Sequence, residues 1–197
     1  MKIKRFATLL IAFLFACTLT IPVSAQQALL EAGPMVGATE MMETTIWVQT
    51  AKPAEVSINY WPEGNEDAFL IGPVTKTTEQ TGLTAHLNIT GLQPGTTYQY
   101  AIFINGERLR FDYPTQFTTQ KLWQWRTDPP AFSVAMGSCL YINDPEFDRP
   151  GDPYGGDPAI LESIAVQNPD IMLWMGDNVY YREVDFYSKT QMHNRYR

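Results

Sequence analysis

Gly91-Leu-Gln-Pro-Gly-Thr-Thr-Tyr-Gln-Tyr100, GLQPGTTYQY, sets a turn against two tyrosines that the two-residue period of a strand places on one face. Pro94 presets its own φ, and Gly95 accepts the positive φ that such a turn asks for. In a β-sandwich, a tyrosine at this kind of corner turns its phenol back to hydrogen-bond the turn backbone. That reading requires short alternating strands on both sides of the corner. They are present. Thr44-Thr-Ile-Trp-Val-Gln-Thr50 is rich in β-branched and aromatic residues, and in Ala54-Glu-Val-Ser-Ile-Asn-Tyr-Trp61 the residues Val56, Ile58 and Tyr60 share a face. Leu83, Ala85, Leu87 and Ile89 alternate inward, which turns His86 outward as a solvated side chain. Asn105-Gly106 predicts a hairpin after Tyr100-Ala-Ile-Phe-Ile104.

The corner, the strand spacing and a span of about 90 residues together resemble the fibronectin type III module. The expectation is an all-β, immunoglobulin-like or fibronectin type III-like sandwich over residues 30–120. A fold of this kind hosts many roles and names none.

At the amino terminus, Lys2, Lys4 and Arg5 precede an apolar stretch, Phe6 to Ile21, and Val23-Ser-Ala25 supplies small residues where a signal peptidase reads. This predicts a signal peptide over residues 1–25 and a secreted or periplasmic product without a stable membrane anchor. A spanning helix is the weaker reading, because the stretch falls short of the ~20 apolar residues that crossing needs. Lipoprotein processing at Cys17 is disfavoured by the apolar sequence that continues past it. The chain carries a net charge of −7, and removing residues 1–25 leaves 11 basic against 21 acidic residues. Such a surface repels phosphate backbones, which argues against nucleic-acid binding. Cys139 then remains as a lone cysteine, either a buried inert residue or a reactive or metal-bound thiolate.

Past residue 120 the pattern changes. Lys121 to Pro130 carries Trp123 and Trp125, read as packing on a neighbouring surface, and Pro129-Pro130 fixes an extended segment at a domain boundary. Ala131-Phe-Ser-Val-Ala-Met136 reads as a strand that runs into Gly137-Ser-Cys139. Asp157 as N-cap, Pro158 in the first helical position, and Ile160, Leu161, Ile164 and Ala165 on one face predict a helix. Asn168-Pro-Asp170 then turns the chain into Ile171-Met-Leu-Trp-Met175, a continuous apolar run that reads as a strand covered on both faces. Strand, helix and strand make a βαβ unit with parallel strands. If those strands are neighbours, their ends lie about 4.8 Å apart. Cys139 and Asp177, each just past a carboxyl end, would then face one pocket, and Tyr180 reaches it if the chain turns there.

Thiolate, carboxylate and phenolate are all anionic when bound to metal. A phenol with an ordinary pKa near 10 ionises at neutral pH only beside a strong Lewis acid such as Fe³⁺. A zinc site is not supported, with one cysteine in the mature chain and no histidine between His86 and His193. Taken singly, Cys139 reads as a small buried residue, Tyr180 as packing and Gly176-Asp177 as an ordinary turn. Their joint placement is what points to a metal.

FSVAMGSC (132–139), a Pro/Gly-rich loop, a helix, and NPDIMLWMGDNVYY (168–181) resemble the start of the metallophosphatase domain of PhoD-type alkaline phosphatases. The resemblance covers about 55 residues, and the family carries a sandwich ahead of its catalytic domain and is exported. It implies a mixed fold, in which the sandwich is followed by the first βαβ unit of an incomplete α/β metallophosphatase domain over 131–197. It further implies Cys139 and Tyr180 as ligands of Fe³⁺, Asp177 as a bridging ligand to Ca²⁺, and small-molecule phosphate esters as substrates. Arg182 is a candidate phosphate contact, although an arginine after a strand also serves as a surface ion-pair partner. Since such an enzyme needs later carboxylate and histidine ligands, the expectation is an amino-terminal fragment of a phosphatase or phosphodiesterase, inactive by itself. Asp144, Glu146, Asp148 and Asp152 read as a solvated loop, because their spacing lacks the glycine and terminal glutamate of an EF-hand. Two rivals stand beside this reading. A purple-acid-phosphatase-like enzyme would end the first strand in aspartate where Cys139 stands, and a non-catalytic exported adhesion or carbohydrate-binding module would present aromatics on the sandwich.

Overall fold

A computed structural model of the chain describes residues 27–142 and 159–196. The predicted signal peptide with Cys17, the acidic loop of Asp144, Glu146, Asp148 and Asp152, and the proposed helix start at Asp157 and Pro158 lie outside the described residues.

Two antiparallel sheets face each other across one core. The first orders β1 (Leu30–Thr39), β2 (Glu43–Thr50) and, from later in the chain, β5 (Thr84–Thr90) as β1-β2-β5. The second contains β3 (Glu55–Pro62), β4 (Leu70–Lys76), β6 (Thr97–Ile104) and β7 (Glu107–Arg108) in the order β4-β3-β6-β7, with β8 (Gln116–Thr118) also paired to β6. The alternation in the sequence sets which side chains meet. Val56 and Ile58 of β3, Ala85 and Leu87 of β5, and Ile102 and Ile104 of β6 are all 0% exposed, and His86 is exposed. Burying each of the larger aliphatic side chains is worth roughly 1.5–3 kcal/mol, which makes these two inner faces the main stabilising feature of the sandwich.

The corner forms as its sequence asks. The Gln93 N–H donates to the Tyr98 hydroxyl at 3.0 Å, while the Tyr98 ring stacks on Phe117 with centroids 5.5 Å apart. Thr119 clamps the same loop from β8's far end, its hydroxyl donating to the Gln93 carbonyl at 2.6 Å and accepting from the Thr96 N–H at 2.9 Å. Tyr98→Phe keeps the ring packing and leaves the Gln93 N–H without its acceptor, so it is expected to cost about 1 kcal/mol, read as a lower denaturation midpoint. Asn105 (φ 51°) and Gly106 (φ 83°) make the predicted hairpin between β6 and β7. Two positive φ values in succession define the turn whose twist matches the flanking strands.

Beyond the sandwich, β9 (Val134–Gly137) and β10 (Ile171–Trp174) pair in parallel, with Val134 opposite Ile171 and Gly137 opposite Trp174. Between them in sequence lies α1 (Ala159–Gln167), and α2 (Lys189–Asn194) follows β10. At the amino end of this pair, Asp170 Oδ2 accepts from the Ser133 N–H at 2.8 Å and the Ser133 hydroxyl at 2.9 Å. These bonds hold the Asp170 carboxyl below its ordinary pKa and fix the register of the two strands.

Three expectations are corrected here. The run Ile171–Met175 is not covered on both faces among the described residues, since Ile171 and Leu173 are each 49% exposed. A strand is buried on both sides only when layers flank it, and among the described residues its one strand partner is β9. Trp125 is fully exposed and does not pack, whereas Trp123 is half-buried. Of the predicted helix face, Leu161 and Ile164 are half-buried, but Ile160 and Ala165 are exposed.

Candidate metal centre

The carboxyl ends of β9 and β10 remain joined after both strands finish. The Met175 N–H donates to the Gly137 carbonyl at 2.8 Å, the Cys139 N–H to Gly176 at 3.3 Å and the Leu140 N–H to Asp177 at 3.1 Å. This ladder carries Cys139 to Asp177 although they are 38 residues apart in sequence. Both residues adopt positive φ, 60° at Cys139 and 48° at Asp177, with Gly176 at 113° between β10 and the carboxylate. Non-glycine residues enter the left-handed region at a cost, and they gather where a side chain must be aimed.

The three side chains singled out from the sequence meet on one oxygen. Asp177 Oδ2 accepts from the Tyr180 hydroxyl at 2.8 Å and lies 3.8 Å from Cys139 Sγ. The hydrogen bond with Cys139, followed by that with Asp177, pushes the Tyr180 phenol well above its ordinary pKa. With protons in place, the cluster is a closed set of donors around one acceptor; losing the thiol and phenol protons converts it to three anionic ligands pointing inward. Tyr180 is half-buried and its ring packs at 5.1 Å against Tyr141, which follows Cys139 by two residues. Tyr141 was missed in the sequence, where an aromatic two positions past a cysteine carries no special signal.

Among the described residues no group of three histidine, cysteine, aspartate or glutamate side chains stands where it could hold a metal. The third donor here is the phenol. A thiol, a carboxylate and a phenol fit part of a ferric shell by their chemistry, since each becomes an anionic ligand on deprotonation.

Arg182 belongs to a different network. Its backbone N–H donates to Asp185 Oδ2 at 2.7 Å, its Nε lies 3.9 Å from Glu183, and no hydrogen bond joins it to Cys139, Asp177 or Tyr180 among the described residues. Asp185, only 1% exposed, also accepts from Arg195 Nε at 2.7 Å, which ties the turn after the site to the end of α2. Burial pushes the Asp185 carboxyl up, but the Arg182 N–H and the Arg195 guanidinium outweigh it and hold the carboxyl below its ordinary value. A depressed folded value means that the clasp contributes fully above the ordinary carboxylate pKa and is lost as pH falls through the folded one. Amide protection over residues 189–194, taken relative to the intrinsic exchange rate at each pH, is therefore expected to fall on acidification, and to be low already at neutral pH in Asp185→Asn.

A family model described as a domain of unknown function, DUF7800, matches residues 27–122. No curated protein matches the chain. Among solved structures, PhoD is similar at 15% identity and a TM-score of 0.55, over 74% of this chain and 27% of that one. The sensor domain of the anti-sigma factor RsgI4 in Pseudobacteroides cellulosolvens is similar at 19% identity, over 48% of this chain and 92% of that one, with a TM-score of 0.38. The fn3 domain of human contactin 1 is similar at 17% identity, over 46% of this chain and 76% of that one, with a TM-score of 0.31. The PhoD likeness is one of fold. Residues 1–122 could not make up 74% of a 197-residue chain, so it extends past the sandwich toward the β9–β10 pair. The chain spans about a quarter of PhoD's length, 27%. Among the described residues no helix is long and apolar enough to cross a membrane.

Proposed function

We propose that this chain carries an iron half-site of an exported, metal-dependent phosphoester hydrolase of the PhoD type. The observation that supports the reading is the convergence of Cys139 Sγ and the Tyr180 hydroxyl on Asp177 Oδ2, at the joined carboxyl ends of two parallel strands. Open parallel sheets place their chemistry at that end.

In this reading Cys139 and Tyr180 would hold Fe³⁺ as thiolate and phenolate, and Asp177 would be the carboxylate shared with Ca²⁺. Bound there, the cations would supply Lewis acidity toward a phosphoryl oxygen of a small phosphate ester. The chain's own part is to aim and hold. The left-handed turns at residues 139 and 177 present the thiol and carboxyl to each other, and Tyr141 holds the ring that delivers the phenol. Arg182 as a substrate-phosphate contact would require its guanidinium to leave the Asp185 and Glu183 side.

The test is to measure iron and calcium by elemental analysis on protein purified from an exporting host, alongside hydrolysis of aryl phosphate mono- and diesters by a version carrying the remaining ligands. Stoichiometric iron with ester hydrolysis supports the proposal. Protein that takes up neither cation from millimolar solutions contradicts it.

A further inference from the structure

The outward face of the β4-β3-β6-β7 sheet departs from the polar surface a sandwich usually turns to water. Trp61 of β3, Phe103 of β6 and Arg108 of β7, with Glu66, Asp67 and Phe69 from the connection between β3 and β4, line a cavity of about 320 Å³. That is the low end of the volume range of small-molecule sites, roughly 300–1,000 Å³. None of these residues belongs to the metal centre.

Three aromatic rings line it, and two carboxylates stand against one guanidinium. The guanidinium is already committed. Arg108 lies over the Trp61 ring, 5.7 Å from its centroid, and its Nη1 binds Glu66 Oε1 at 2.9 Å. The Trp61 indole N–H donates to Gln99 Oε1 at 3.1 Å, and the residue, with Arg108 over its ring, is 5% exposed. One wall thus already operates as an aromatic and carboxylate seat for a cation, filled from within the chain. The other wall is open: Phe69 is 51% exposed, and the Asp67 carboxylate beside it is exposed too.

We propose that this cavity binds a small organic cation of the quaternary or alkylated ammonium class, seated against Phe69 and Phe103 with Asp67 as counter-charge. Ring faces attract a cation, and an alkylated ammonium gives up less hydration than a bare one on leaving water. The lining charge is net negative, in a chain of net charge −7, so an anionic ligand meets repulsion.

The test uses the full chain, ¹⁵N-labelled and titrated with tetramethylammonium chloride, with sodium chloride at equal ionic strength and glucose as controls. Saturable shifts are expected at the Trp61 indole and at the amides of residues 66–69 and 103–108 with tetramethylammonium alone. Asp67→Asn and Phe69→Ala, both at exposed positions, are each expected to weaken binding about three- to thirty-fold. Arg108→Ala is expected to tighten it, because it frees the Trp61 face and Glu66; Arg108→Gln is the milder version of the same test. A lack of saturable shifts, equal shifts with glucose or sodium chloride, or weaker binding in both Arg108 variants overturns the proposal. None of these readings depends on iron or on ester hydrolysis.

Discussion

Asp177→Asn is expected to weaken ferric-ion binding by at least about a hundredfold, because loss of even an outer partner of a metal ligand costs 10–100-fold and Asp177 is the oxygen on which the other two donors meet. Asparagine preserves the shape and one oxygen acceptor while removing the charge. The Tyr180 hydroxyl and Cys139 thiol then face a neutral group, which gives less return for shedding their protons to a cation. Equilibrium dialysis with elemental analysis reads the change. Asp170→Asn is the matched control at the other end of β10, where the carboxylate holds Ser133. It is expected to loosen the strand pair near residue 133 and to leave iron affinity close to that of the parent. Equal losses in both variants would mean that affinity tracks the integrity of the strand pair and not the ligand.

The second large effect lies in the sandwich. Ile102→Ala is expected to cost about 2–5 kcal/mol, the range for emptying a packed aliphatic site. Ile102 is 0% exposed and stands beside Ile58 on the neighbouring strand, so the vacated volume opens in the core between the two sheets, where the paired strands β3 and β6 leave little room to collapse. On a domain of ordinary stability that is a large share of the total, and the midpoint in urea should fall with an unchanged slope. Ile71→Ala on edge strand β4, where the side chain is 78% exposed, is expected to stay within about 0.5 kcal/mol.

The sandwich was legible because its signals are local. A two-residue period, the proline-glycine corner before Tyr98 and the asparagine-glycine hairpin each dictate backbone geometry within a few residues, and Val56, Ile58, Leu87 and Ile89 all point inward as their alternation requires. The pairing of Cys139 with Asp177 was legible by another route, since parallel neighbouring strands put their carboxyl ends side by side whatever the intervening length. Less legible was whatever depends on what covers a surface. A run such as Ile171–Met175 states that it can be buried, not that a layer is there, and the tryptophans of the connecting segment have no period that would fix their facing. Asp185 was also opaque. A carboxylate among surface residues reads as solvated, and its burial follows only once Arg195 returns from the end of α2. The Trp61 cavity is not legible in the sequence because a tryptophan in a β-rich run reads as core packing, whereas here Arg108 lies over its ring on the outer face of the sheet.

In the proposed half-site, one sulfur, one carboxylate and one phenol share a cation at the joined ends of β9 and β10. X-ray absorption at the iron edge of the iron-loaded chain addresses it directly. The expected result is a sulfur neighbour in the first coordination sphere that disappears in Cys139→Ser. An iron sphere made only of nitrogen and oxygen, unchanged by that substitution, would contradict it.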